Sequence, residues 1–149
     1  MDDVHDLHDL HDKATQRLRR ISQRYTSSRR LLVTVMASAE RPLTIPEIVE
    51  RERSLATSSV YRNLVTLEQA GVITKVVTSH DHGRYELSEQ FADHHHHLVC
   101  TMCGEVNDFV LPPAVEEALD AALRKASRRE GFAPDGHTFD VTGTCTNCQ

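Results

Sequence analysis

The sequence predicts an α+β protein in two parts: an N-terminal winged helix-turn-helix domain, then a small α/β domain stapled by a four-cysteine zinc site. Three observations carry this expectation. Three amphipathic helical patterns follow one another between Ser28 and Ala70, with a short turn between the second and third. Two β-rich runs, residues 72–77 and 84–87, come directly afterwards, joined by a turn. The four cysteines of the chain form two C-x2-C pairs, Cys100/Cys103 and Cys145/Cys148.

Taken in order, residues 1–12 are acidic and carry His5, His8 and His11 at three-residue spacing, roughly along one helical side. They are expected to be a frayed, solvated start. Residues 13–24 read as a basic helix whose thin apolar side is Leu18 and Ile21. Thr26, Ser27 and Ser28 supply an N-cap region for a helix over residues 28–38, with Leu31, Leu32, Val35 and Met36 facing inward. Arg41 and Pro42 close that segment. Thr44 caps the next helix, with Pro46 and Glu47 in its first turn and Ile45, Ile48 and Val49 on its apolar side, and this helix stops near Arg53. Thr57, Ser58 and Ser59 open the third, which runs through Val60, Leu64 and Leu67 to Ala70, with Gly71 as its stop.

The β-branched run 72–77 and its partner 84–87 make the wing, so the first domain is assigned residues 1–87, with a hinge at 88–93. The remainder, residues 94–149, reads as strand (95–101), strand (106–109), helix (113–129) and strand (137–144). Val115, Leu119, Ala122 and Leu123 form the apolar side of its helix. Three strands and one helix are too few for a secure core, so metal and a two-fold partner are both expected to support it.

Net charge is −5, but it is unevenly placed. Residues 13–30 hold seven basic side chains and no acidic one, whereas residues 85–149 hold four basic and eleven acidic. The protein is therefore electrically two-ended, which points to one nucleic-acid-facing half. No apolar run is long enough to span a membrane and no apolar leader opens the sequence, so a reducing cytoplasm is the expected compartment.

Four thiols in two C-x2-C pairs suit tetrahedral zinc; partners within one pair bridge poorly as disulfides, and an iron–sulfur cluster is the lesser alternative. The block 94–97 is four consecutive histidines leading into the first cysteine pair. If it is part of a strand, His94 and His96 face one way and His95 and His97 the other, so one strand can serve two metal sites. The further ligand candidates are His80, His82, Glu86, Asp108, Glu116, Glu117 and His137. For DNA, the opening of the third helix offers Thr57, Ser58 and Ser59, followed by Tyr61 and Arg62, to base edges and phosphates. Arg29 and Arg30 can anchor a neighbouring phosphate, and the competing use of Tyr61 is a partly buried packing residue.

These motifs together resemble the ferric uptake regulator family, and within it the zinc uptake regulators. The resemblance spans residues 25–148. It is carried by Thr26–Ser27–Ser28–Arg29, by Ser58–Ser59–Val60–Tyr61–Arg62–Asn63–Leu64, by the wing strand 84–87, by the block 94–103, and by His137 followed by 143–148. It implies a dimeric, metal-dependent DNA-binding repressor with a C-terminal dimerisation domain. By position it implies that Cys100, Cys103, Cys145 and Cys148 hold structural zinc. It also implies that His94, His96, Glu116 and His137 form a site within the second domain, with Glu117 as the fallback for Glu116. His95 and His97 match a sensory site, for which Glu86, Asp108 and His80 or His82 are the completing candidates. Pro42, Ser88 and Thr74 stand where relatives place other ligands. The implied corepressor is zinc, with iron, nickel or manganese as alternatives. The expected partners are double-stranded operator DNA and a second copy of the chain, with no membrane and no enzymatic activity. A metal-storage protein and a zinc-dependent hydrolase are the remote alternatives.

Overall fold

The computed structural model describes residues 2–78 and 83–149. It divides into two compact units, Met1–Asp93 and His94–Gln149.

Four helices and a two-stranded ladder build the first unit. Helix α1 is continuous over Asp2–Arg20, which corrects the expectation of a frayed start. Leu10, Ala14 and Leu18 recur every four residues and are buried, so an apolar stripe crosses the supposed boundary at Lys13. His11 is buried on the same helix. Its Nδ1 lies 2.6 Å from the Tyr25 hydroxyl and its Nε2 3.3 Å from Thr34 Oγ1. Burial lowers its pKa below 6.5, with Arg30 and His8 acting in the same direction and Asp12 opposing.

Helix α2 (Ser27–Ala37) starts where the Thr26 hydroxyl accepts the Arg29 N–H, and it buries Leu32, Val33, Val35 and Met36. Helix α3 (Ile45–Arg51) begins with a capping box: Thr44 Oγ1 accepts the Glu47 N–H, and Glu47 accepts the Thr44 N–H. Glu47 also receives Arg41 at 2.6 Å and Arg84 at 3.3 Å. Burial works against its charge, yet the Thr44 and Arg41 hydrogen bonds hold its pKa below the usual value. Helix α4 (Thr57–Gln69) turns its Val60, Leu64 and Leu67 inward and packs on α2 and α3. Consecutive α3 and α4 joined by a short turn make this unit helix-turn-helix-like.

Gly71, at φ +73°, reverses the chain into strand β1 (Ile73–Val76). Strand β2 (Arg84–Leu87) pairs with it antiparallel, Ile73 opposite Leu87, and an isolated bridge joins Tyr85 to Leu43. His80 and His82 fall in the joining segment and lie outside the described residues.

In the second unit, strand β3 (His96–Cys100) is central, between antiparallel β4 (Val106–Phe109) and parallel β5 (Asp140–Gly143). Helix α5 (Pro113–Arg129) is the crossover that a parallel pair requires. A 3-10 turn over Thr146–Cys148 follows. The last strand is shorter than expected, so His137 and Phe139 precede it rather than belong to it. The core is thin: Val99, Cys100, Val106 and the ring of His96 are buried, while α5 and β5 bury nothing.

Candidate metal centres

The parallel β3–β5 pairing places Cys100 opposite Gly143, so the two C-x2-C turns leave the same end of adjacent strands. Gly104, at φ +74°, turns the first pair back toward β4. All four cysteines are free thiols, with one ligand atom from each lying within 4.8 Å of the others. Cys103 Sγ is 3.7 Å from Cys145 Sγ. The Cys145 and Cys103 backbone N–H groups donate toward Cys100 and bring its pKa down to about 6. Cys148 moves the other way, up to about 12, through hydrogen bonding with the Cys145 and Cys103 thiols. Burial raises Cys145. A lowered pKa at Cys100 favours the thiolate, the form in which a cysteine ligates a metal.

The second group lies on one face of β3. His94, His96, Glu116 and His137 bring one ligand atom each within 4.8 Å of the others. Glu116, in the first turn of α5, reaches His96 Nε2 at 2.7 Å, His137 Nε2 at 3.3 Å and His94 Nε2 at 3.7 Å. His96 is wedged against Phe139, ring centroids 3.9 Å apart and planes 20° from parallel. The set fits a divalent cation on a specific observation: His96 Nδ1, Glu116 Oε2 and His137 Nε2 are buried without hydrogen-bond partners. Uncompensated buried polar atoms of this kind are rare, and a coordinated ion would engage both Glu116 Oε2 and His137 Nε2, which face each other. Glu117 is exposed and outside the group.

The opposite face of β3 carries the third group. Antiparallel register sets His97 opposite Asp108. His95 Nε2 and His97 Nε2 each lie 3.8 Å from an Asp108 carboxylate oxygen. Glu86 sits on β2 of the first unit, opposite Thr74.

Two carboxylates absent from the sequence candidates stand beside these groups. Asp120 Oδ1 is 3.0 Å from His137 Nδ1, and Asp140 Oδ1 is 3.1 Å from His97 Nδ1. Asp120 had a signal, since it is one helical turn beyond Glu116. Asp140 had none, because only the β3–β5 register brings it to His97.

The DNA candidates lie along α4. Thr57, Ser58, Tyr61 and Arg62 are exposed, and Tyr61, at 57% exposure, is not a packing residue in this chain. Ala56 gives α4 no side-chain cap, so its first-turn N–H groups stay open to a ligand. Ser59 is half-buried and receives a hydrogen bond from Asn63 Nδ2 at 3.1 Å. Arg29 is occupied internally. It donates to Asn63 Oδ1 at 3.0 Å, to Gln23 Oε1 at 3.2 Å and to the Arg24 carbonyl at 2.5 Å.

A helix-turn-helix-like unit joined to a small β unit with cysteine and histidine metal clusters defines a metal-dependent DNA-binding regulator. The chain belongs to the ferric uptake regulator family, whose model matches residues 20–142. The regulators of this family are non-enzymatic transcription factors that act as DNA-binding dimers. The ferric uptake regulation protein of Bordetella parapertussis is 31% identical over 102 residues, covering 68% of each chain. That of Legionella pneumophila is 30% identical over 102 residues, covering 68% of this chain and 70% of its own. The Helicobacter pylori ferric uptake regulator, described as having three functional metal binding sites, superposes with a TM-score of 0.72 at 23% identity, over 95% of this chain and 93% of its own. A zinc-bound manganese uptake regulator superposes with a TM-score of 0.61 at 25% identity, over 91% and 98%. Among the described residues, no helix is long and apolar enough to cross a membrane.

Proposed function

We propose that this protein is a zinc-responsive repressor that binds operator DNA as a dimer when its histidine sites are loaded. The observation that supports this best is the pair of histidine groups on opposite faces of β3, beside a separate four-cysteine cluster. Three imidazoles and one carboxylate suit four-coordinate zinc, and four thiolates suit zinc held for structure alone. When bound, the ion supplies fixed coordination that draws separate strands together; the chain's own residues supply the direction.

In this reading the first unit is a winged helix, with β1 and β2 as the wing. Tyr61 and Arg62 meet bases or phosphates, Thr57, Ser58 and Ser59 lie at the groove, and Arg29 acts from behind α4. His95, His97 and Asp108 form the sensory site. By the family resemblance Glu86 and His82 are its further donors, and the protein works in the cytoplasm. His94, His96, Glu116 and His137 brace the dimerisation domain. Metal and operator affinities are then reciprocally coupled.

A second reading, iron sensing, is favoured by the names of the relatives in Bordetella and Legionella. Selection of binding duplexes from a random DNA pool, run with zinc, ferrous iron, manganese, nickel or a chelator, tests both. Enrichment with zinc at lower free concentration than any other ion is expected. Enrichment with ferrous iron alone sinks the zinc reading, and none with any ion sinks the repressor.

A further inference from the structure

We propose that Asp120 and Asp140 are positioning residues, one for each histidine group. Each accepts the Nδ1–H of one histidine and so presents that histidine's Nε2 to the metal. The inference rests on the reading that these groups hold metal.

Asp120 stands on α5 one turn after Glu116, so His137 lies between two carboxylates on one helix face. Asp120 Oδ1 is 3.0 Å from Nδ1, and Glu116 Oε2 is 3.3 Å from Nε2. An ionised carboxylate only accepts, and only the Nδ1 contact has hydrogen-bond geometry, so the proton of neutral His137 belongs on Nδ1. That leaves a lone pair on Nε2, and Nε2 and Glu116 Oε2 are both buried without a hydrogen-bond partner. Two acceptors that face each other at this distance repel until a cation joins them. Asp120 thus fixes the tautomer in which His137 is a ligand before any metal arrives.

Asp140 repeats the arrangement from a different element. The parallel register sets it opposite His97, its Oδ1 at 3.1 Å from Nδ1. His97 Nε2 then faces Asp108 across the neighbouring antiparallel register. A carboxylate behind a ligating histidine orients the ring and raises its basicity, and removing one typically weakens metal binding about 10–100-fold.

The test uses full-length Asp120→Asn and Asp140→Asn. The isosteric amide can donate to Nδ1, which drives the ring proton to Nε2 and occupies the ligating lone pair. Nitrogen-15 spectra of histidine-labelled protein, with metal only in the cysteine cluster, should show His137 protonated on Nδ1 in the parent and on Nε2 in Asp120→Asn. His97 should respond in the same way to Asp140→Asn. Zinc affinity by chelator competition should fall about 10–100-fold at one histidine site in each variant. The visible bands of cobalt at the other site should be unchanged, with cysteine-bound zinc retained. Unchanged tautomers and affinities in both variants, with melting temperature alone lowered, overturn the proposal. A parent protein that binds zinc only through its cysteines overturns the metal reading itself, and the proposal with it.

Discussion

His11 shows how one residue changes meaning between sequence and structure. In sequence it is one of three histidines in an acidic start; in the fold it is a buried link from α1 to Tyr25 and Thr34. Its folded pKa is depressed, so it stays neutral in the fold while the unfolded chain protonates near 6.5. Its stabilising contribution is therefore complete above pH 6.5 and is lost as pH falls from there through the folded pKa. We expect thermal melts of His11→Gln to fall less steeply than the parent between pH 7 and pH 5, with the His11 proton resonances of the parent titrating below 6.5. His11→Ala should cost about 1–3 kcal/mol at neutral pH by leaving its two hydroxyl partners without it.

Arg62 and Arg29 separate at the same scale. Arg62→Ala should weaken operator binding without lowering stability, because its side chain is exposed on α4. Arg29→Ala should lower unfolding free energy by about 1–3 kcal/mol, because it removes hydrogen bonds that tie α2 to α4. Chemical denaturation together with DNA titration of both variants checks the distinction. Equal stability losses would place both arginines in the same structural role.

Strand β3 is the element on which the chemistry turns. Alternate residues of this strand and of the two positions before it meet different partners, His94 and His96 with Glu116, His95 and His97 with Asp108. We expect the double variant His95→Ala/His97→Ala to lose metal-dependent DNA binding while staying folded. The double variant His94→Ala/His96→Ala should chiefly lower stability and shift the metal concentration required. Metal stoichiometry and operator affinity of the two doubles are the measurement. Loss of the same ion and the same affinity in both would mean a single site. Acid should impair both faces, because imidazoles must be deprotonated to coordinate.

At the scale of the whole molecule the two units are unequally built. The first has an apolar core drawn from all four helices and the ladder. The second buries few side chains and leaves Val115, Leu123 and Val141 exposed at 46%, 36% and 45%. In the proposed reading, metal in the cysteine cluster and a covering partner support such a unit. Cys145→Ser should therefore unfold it, seen as loss of the dimer in sedimentation and of second-unit resonances, while the helical unit stays folded. A folded dimer with full zinc content would contradict this.

What the sequence determined by itself was whatever rests on local pattern. Strands at Arg84–Leu87 and Val106–Phe109 and the helix Pro113–Arg129 have the bounds their periodicity and turn residues predict. The cysteine spacing follows from covalent order alone, and the alternation of His94–His97 follows once that segment is extended. Helix α1 was legible too, in Leu10, Ala14 and Leu18, but abundant charge around them masked the stripe. Only tertiary structure decided which distant groups meet. The parallel pairing of β3 with β5 brings Asp140 to His97 and one cysteine pair to the other. The packing of α5 chooses Glu116 over Glu117 and adds Asp120 to His137. Those meetings join residues 17 to 43 positions apart through register and packing, which no local propensity encodes.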